Sequence, residues 1–552
     1  MRVTSSGKWA IASRDLFRAG RCEHCIRLSM AVEAKVPEVL ERVNDYREDL
    51  DSKLPIIQGN QREKAVFEQI RKSLPVGEFI ELSGAKTQNT IDAMLAKTPV
   101  IAQGYFESNL TEYEWSGYAD LLVLEGYDIV QGINGEIQAV QVGNTPDQPR
   151  YVPWDVKNSS EGKPKYPVQL ASYLQALNDL ELASKEPIGI VLGFAKGIVK
   201  YETQESLNLY RQSLSSLLSI LDQAKPESIH EGFIDDWACA KKSMCVEVFC
   251  DYPSLCKEIF KKKRALELLP RVHHTHVPKL VSAGFPNVTT LAACDAPPVV
   301  EDLKAEFVDR YWASAKVMQL EFENQPALMS KTSGSPDLPS ESEMDLFFDI
   351  EWFNPVDASA EFIFMFGAVG SDESFEVFVS EKVDQELGQL DKFLDFAMSK
   401  FNVDNEMHIY HFSNPEPKKL DQLSQRYGGH RHEDVQTLIS RMIDLRDIAE
   451  ATFIPGSGSY SIKSLEKYYD ADSKLNRGGL VLGGADAMYQ FELFRVEAFE
   501  RGNLKRAREI MRAISEYNKD DCLSTKLLCD WLRSLTFESA GQIMKIMKPG
   551  SV

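Results

Sequence analysis

Two series of strand-like and helix-like segments lie on either side of one stretch that offers little to a core, 326-PALMSKTSGSPDLPSESE-343. Pro, Ser and acidic residues dominate it, which reads as a linker. Before it, helical spacing is clear in 62-REKAVFEQIRKSL-74 and 168-VQLASYLQALNDLELA-183, and strand-like runs occupy 117-GYADLLVL-124, 151-YVPWDVK-157 and 188-IGIVLGF-194. After it come 345-DLFFDIEWF-353, 362-FIFMFGAVG-370, 375-FEVFVS-380 and 407-MHIYHF-412, then a helix-rich end. The pattern predicts two α/β domains, and 552 residues exceed what a single core accommodates. Residues 259–325 read as mostly helical, and no solenoid period repeats along the chain.

A net charge of −21 argues against coating nucleic acid by bulk attraction, although a local basic path remains compatible with it. Segment 257-KEIFKKKRALELLPRVHH-274 is either such a path or the solvated face of a helix. No apolar run is long enough to span a bilayer, and MRVTSSGKWAIASRDLF lacks the apolar core of a signal peptide. The expectation is a cytoplasmic protein whose nine cysteines are not structural disulfides.

Carboxylates fall where a hydrolytic metal site needs them. Asp120 begins a strand, and Asp155 and Lys157 are two apart on the next, so they project to one side. Asp120 and Asp155 could hold a divalent cation, with Glu68 joining from the preceding helix and Lys157 offsetting charge on the phosphate. A lone D-x-K is weak evidence, because such pairs are common on solvated strand edges. Gln169 and Tyr173, four apart on one helical face, add to it.

A second set follows the linker. Asp349 and Glu351 lie on one side of an otherwise apolar strand, which is costly without a cation. Tyr517 and Asp521 share one face of a late helix, and between the two ends lie further acids, Glu416 and Asp444, the latter read equally well as a helix-side charge. Cys22 and Cys25 sit early, while Cys239, Cys245, Cys250 and Cys256 cluster near the end of the first domain. Such thiols suit an iron–sulfur cluster or zinc, or are simply small buried hydrophobes. His24 reads as a packing residue.

The first series resembles the RecB-like branch of the PD-(D/E)XK nucleases, in which a helix Glu, a strand Asp, a strand (D/E)-x-K and a helical Q-x-x-x-Y occur in this order. The resemblance implies Glu68, Asp120, Asp155 and Lys157 as catalytic and Gln169 and Tyr173 as positioning the substrate strand. The Gly that opens the family's helix motif is replaced here by Lys64. Several such nucleases carry a [4Fe–4S] cluster on one early and three late cysteines, which implies Cys22, Cys245, Cys250 and Cys256. The Cys245-x4-Cys250 gap departs from the shorter x2 of the family, with Glu247 at that place.

The second series resembles the DEDD 3′–5′ exonucleases of the RNase H-like fold, which implies Asp349, Glu351, Glu416, Tyr517 and Asp521 around Mg²⁺ or Mn²⁺. Lys463 resembles a recurrent part of that subfamily without a role assigned. The order of the whole chain resembles bacterial RecB-family nucleases with a YprB-type second domain. The implied architecture is a restriction-endonuclease-like domain at 1–258, a helical, helix-hairpin-helix-like segment at 259–325, a linker at 326–343, an RNase H-like domain at 344–538 and a tail at 539–552. Relatives often continue into a superfamily 1 helicase; this chain contains no GxxxxGK loop, so the resemblance implies a stand-alone form or the nuclease half of a larger machine. DNA is the implied substrate, in repair or recombination. The alternatives are a catalytically impaired binding partner of a helicase and an RNA exonuclease.

Overall fold

The computed structural model describes residues 1–43, 54–82, 84, 86–109, 113–159, 161–193, 197–230, 250, 252–353, 355, 361–413, 415–470 and 473–546. They divide into two compact units, one built essentially from the chain up to Phe260 and the other from Lys261 onward.

The first unit is organised by an eight-stranded mixed sheet. Its strands are β1 (Arg2–Val3), β2 (Trp9–Ile11), β3 (Phe79–Glu81), β4 (Val100–Asn109), β5 (Tyr113–Leu124), β8 (Tyr151–Lys157), β9 (Ile188–Leu192) and β10 (Ile198–Tyr201). Between β5 and β8 the chain makes a separate hairpin of β6 (Tyr127–Gln131) and β7 (Ile137–Gln141). The main order is β1-β2-β5-β8-β9-β10, with β4 also on β5 and β3 on β4. Strands β5 and β8 run antiparallel, and β8 and β9 parallel. Alternation along β5 sends Leu121 and Val123 toward Val66, Phe67 and Ile70 of the helix Leu54–Ser73. Leu122 and Leu124 instead meet Tyr173 and Leu177 of the helix Lys165–Asp179. Gly189 is required opposite Trp154, because a Cβ there would lie 2.4 Å from the indole.

In the second unit a five-stranded sheet has the order β14-β13-β12-β15-β16. These are β12 (Leu346–Phe353), β13 (Phe362–Gly370), β14 (Phe375–Val379), β15 (Ile409–His411) and β16 (Met442–Asp444). The β12–β13–β14 pairings are antiparallel, and those of β12 with β15 and of β15 with β16 are parallel. On one side of β12, Leu346, Phe348 and Ile350 bury against Phe393 and Leu394 of the helix Glu386–Val403. Phe347 and Phe353 face the other way, toward the helix Leu504–Ser534 and its neighbours. Asp349 and Glu351 share that second direction, which aims them at the long helix.

The expected linker, tail and helical connector all carry regular structure in the second unit. Ala327–Ser330, inside the expected linker, is a fully buried strand β11. It pairs with β17 (Phe453–Pro455) on one side and with β18 (Ile543–Lys545) on the other, so the expected tail is also partly a strand. Ala327, Leu328 and Met329 are all buried there, few as they are. The expected helical connector packs within this same unit: Ala313 and Val317 of the helix Ala305–Phe322 bury against Met329. Segment 279–292 covers the end of the short helix His276–Ser282 and all of Val288–Ala292, with Gly284 between them at φ +94°. Among the described residues no helix is long and apolar enough to cross a membrane.

Candidate metal centre and a second acidic site

Asp349 and Glu351 reach the long helix where Tyr517, Asn518 and Asp521 line one face. One oxygen each from Asp349, Glu351 and Asp521 lies within 4.8 Å of the others, a grouping that could hold a metal ion and the single one of its kind among the described residues. Burial, reinforced by the neighbouring carboxylates, holds Asp349 and Glu351 well above the usual carboxylate range. Three oxygen donors crowded together in this way suit a hard divalent cation, which would supply the missing countercharge.

The amide of Asn518, fully buried, donates to Asp349 Oδ2 at 2.8 Å. That approach depends on Gly367, the cross-strand partner of Asp349 on β13, since a Cβ there would sit 1.7 Å from Asn518 Oδ1. Gly367→Ala is therefore expected to push Asn518 off Asp349. Overpacking of this kind costs about 1–3 kcal/mol, so a melting curve should show a loss of several degrees, together with weakened divalent-metal binding.

Glu416 lies in the first turn of the helix Pro415–Arg426 and is 2% exposed. It stands outside the close trio, although its charge acts on both Asp349 and Glu351. One of its oxygens is 3.2 Å from Nδ1 of His411, a nitrogen that also lies 2.6 Å from the Ser413 carbonyl. The shorter contact assigns the Nδ1 proton to the carbonyl, leaving Glu416 with a weaker claim on it. Asp444 is a cap: its Oδ1 accepts from the Arg446 amide at 2.9 Å and from the Ser413 amide at 2.8 Å.

Tyr517 is nearly buried, and burial followed by the charge of Asp521 pushes its phenol upward. The Lys463 ammonium lies 5.2 Å from the centre of that ring and donates to the Leu482 carbonyl at 2.6 Å. Arg477 was not anticipated from the sequence. Its guanidinium donates to Asp521 Oδ1 at 2.5 Å and to Glu466 Oε1 at 3.1 Å, placing a cation against one member of the trio. No motif surrounds it in 473-SKLNRGGLVLGG-484, so local spacing carried no signal.

With this geometry in view, one family comparison is decisive for the second unit: residues 346–533 match the RNase_H_2 model of the RNase H superfamily. Residues 346–533 form an RNase H-like domain. The matched segment contains Asp349, Glu351, Glu416, Tyr517 and Asp521. It points to a metal-dependent nuclease acting on phosphodiester bonds, with which the acidic trio is compatible. No curated protein and no solved structure matches the chain.

In the first unit, Asp120 on β5 and Asp155 and Lys157 on β8 do come together. The Val156 amide donates to Asp120 Oδ2 at 2.9 Å, and the Lys157 ammonium is 2.7 Å from Asp155 Oδ1 and 4.0 Å from Asp120 Oδ2. Burial and the proximity of Asp155 raise the Asp120 carboxyl well above its usual range. Asp155 is 1% exposed and its Oδ2 has no hydrogen-bond partner. An orphaned carboxylate oxygen at that depth is suited to a cation.

The expected helix carboxylate, Glu68, is not brought to this group. Glu68 is half exposed and pairs with Arg71 one turn along its own helix. Glu63, which accepts from the Gln103 side chain, is the one that feels both Lys157 and Asp155. A signal for it existed: 59-GNQRE-63 places Gly59 four residues before Glu63, the spacing the resemblance asks for. Gln103 has a left-handed φ of +57° in the middle of β4, a strained conformation for a non-glycine residue.

Tyr173 hydrogen-bonds Gln169 and lies close enough to sense Asp155 and Asp120, but it is 5% exposed. Its ring sits 5.9 Å from that of Trp115 and against Gly117, where a Cβ would approach to 2.8 Å. Packing this tight anchors the helix to β5.

The cysteines at the two ends of this unit also meet. Cys22, Cys25, Cys250 and Cys256 are buried, and none forms a disulfide. Cys25 hydrogen-bonds Cys250, and His24 hydrogen-bonds Cys256 while its Nε2 is buried without a hydrogen-bond partner. Cys245 and Cys239 lie outside the described residues.

Proposed function

We propose that the chain is a metal-dependent DNA nuclease with two hydrolytic centres: a DEDD-type 3′–5′ exonuclease in the RNase H-like domain and a RecB-like PD-(D/E)XK site in the first unit, acting in repair or recombination. The observation that carries the reading is the convergence of Asp349, Glu351 and Asp521 inside the matched segment. These three, with Glu416 close by, would hold Mg²⁺ or Mn²⁺. A cation held there would polarise the phosphate and lower the pKa of an attacking water. Tyr517, hydrogen-bonded to Asp521, is placed to orient that water, and Asn518 fixes the angle of Asp349. In the first unit Asp120, Asp155 and Glu63 would carry the cation and Lys157 would offset charge building on the phosphate.

The test uses end-labelled single- and double-stranded DNA and RNA with Mg²⁺, Mn²⁺ or EDTA. Asp349→Ala is expected to remove exonucleolytic release from 3′ ends, and Asp155→Ala to remove a separable activity. Absence of degradation with either metal would sink the enzyme reading and favour a nucleic-acid-binding partner of a helicase; cleavage restricted to RNA would make it an RNA exonuclease.

The cysteine set extends the proposal. Cys22, Cys250 and Cys256, joined by Cys245, would hold a [4Fe–4S] cluster that ties the two ends of the first unit together. Support comes from the burial of Cys22, Cys250 and Cys256 around His24. Protein purified without oxygen should be brown and absorb near ~400 nm; stoichiometric zinc, or colourless metal-free protein, counts against the cluster.

A further inference from the structure

The exposed side of the β4–β5 ladder carries a continuous strip that begins at the first unit's acidic site. On β4, Gln103 and Tyr105 are half-buried and Glu107 is exposed, while Ala102, Gly104 and Phe106 are buried. On β5, Tyr118 is exposed and Asp120 only partly so, beside the buried Ala119 and Leu121. Pairing of Tyr105 with Tyr118 and of Glu107 with Ser116 fixes the rungs, and Gln103 and Asp120 lie between the Ala102–Leu121 and Gly104–Ala119 pairs. The strip thus reads acid–amide, then tyrosine–tyrosine, then polar. Tyr105 and Tyr118 have ring centres 4.8 Å apart, the Tyr105 hydroxyl is 3.3 Å from Glu107, and Tyr118 is 41% exposed. Two residues along a strand span ~7 Å, so the rings flank the acidic site at about the reach of one nucleotide. At the same site Lys163 and Lys165 gather near Lys157, and burial together with the other two ammonium groups pushes Lys165 down to about 8.

We propose that Tyr105 and Tyr118 form a stacking platform for an unpaired nucleobase of the strand whose phosphate lies at Asp120, Asp155 and Lys157. The proposal rests on reading those residues, with Glu63, as a hydrolytic site. An exposed tyrosine ring with a half-buried one beside it, next to clustered lysines, matches what a single strand presents: flat π-faces alternating with phosphates. A duplex keeps its bases stacked inside and offers the tyrosines no face, so the platform selects single strands or frayed ends.

The experiment uses the full chain with Asp349→Ala, leaving the first unit's cleavage alone to be read, and a fluorescein-labelled oligothymidylate against a duplex of equal length. Adding Tyr105→Ala and Tyr118→Ala is expected to raise KM for the single strand roughly 5- to 150-fold per lost stack, with kcat nearly unchanged. Phenylalanine at both positions restores the affinity that alanine loses. Oligonucleotides bearing 5-iodouracil should photocrosslink to the peptides containing Tyr105 or Tyr118. Unchanged KM in the alanine variants, or equal weakening toward an abasic strand, overturns the platform. If the Asp349→Ala protein shows no cleavage that depends on Asp155, the hydrolytic reading fails on its own; crosslinking and equilibrium binding then judge the platform, and absence of both overturns it.

Discussion

Glu351→Gln is expected to lower hydrolysis by the RNase H-like domain by roughly 10³-fold while raising the melting temperature of the metal-free protein at neutral pH. The activity loss follows from removing one of three converging donors, because metal-assisted charge stabilisation amounts to several kcal/mol and each ~1.4 kcal/mol is tenfold in rate. The stability gain has a different cause. Burial first, then Asp521, raise the folded-state pKa of Glu351 above its ordinary 4.5. Between that ordinary value and the raised one, the folded protein retains a proton that the unfolded chain has released. The free energy of unfolding therefore falls with rising pH across the window. Its contribution to stability is complete below the unfolded pKa and is lost as pH climbs through the folded pKa. Glutamine keeps the shape and removes the charge, so its advantage is largest at neutral pH and fades toward pH 4. About 1 kcal/mol moves Tm by roughly 2–4 °C in a domain of this size, within reach of calorimetry in EDTA. Saturating Mg²⁺ should reverse the ranking, since only the wild type recovers stability by binding it at full strength. A lower melting temperature for Glu351→Gln across the whole pH range would show that the carboxylate is neutralised by something other than a cation.

The legible parts of the two sites are those in which chemistry and secondary structure coincide within a few residues. Asp349 and Glu351 stand out because a strand that buries Phe348 and Ile350 has no ordinary use for two acids. Tyr517 and Asp521 share a face through helical spacing alone. Arg477 reaches Asp521 from a glycine-rich segment, and only the tertiary fold brings it there. Burial of Leu328 and Met329 likewise depends on partners more than a hundred residues away in β17 and β18. Composition made that stretch look like a linker, but three apolar residues between two strand edges are enough to complete a sheet. The left-handed Gln103 was invisible for another reason: glutamine has no propensity for such backbone, and the surrounding strand imposes it.

The choice between Glu63 and Glu68 gives the second large effect. Both lie on Leu54–Ser73, and their five-residue separation turns them about 140° apart around the helix axis, given ~100° per residue. They cannot serve the same site. Glu68 is half exposed and held by Arg71, itself 2.7 Å from Glu81, in a surface network of the kind that contributes about 0–1 kcal/mol. Glu63 accepts from Gln103, which lies on β4 between the partners of Leu121 and Ala119. Burial comes first among the causes that raise its carboxyl above the usual range; Lys157 opposes the shift and Asp155 reinforces it. Glu63→Gln should therefore reduce Asp155-dependent cleavage roughly 10²-fold or more, as removal of a group that orients or carries the cation typically does. Glu68→Gln should leave the rate within about twofold and shift Tm by less than a degree or two. The comparison is best made in protein already carrying Asp349→Ala, so that the second domain adds no background. Equal loss in the two variants would mean that the helix acts by packing alone, and loss confined to Glu68→Gln would restore the assignment expected from Lys64-x3-Glu68. Gln103→Ala refines the test: if the strained glutamine only positions Glu63, its loss should lower apparent metal affinity and be largely overcome at high Mn²⁺, whereas the deficit of Glu63→Gln should persist.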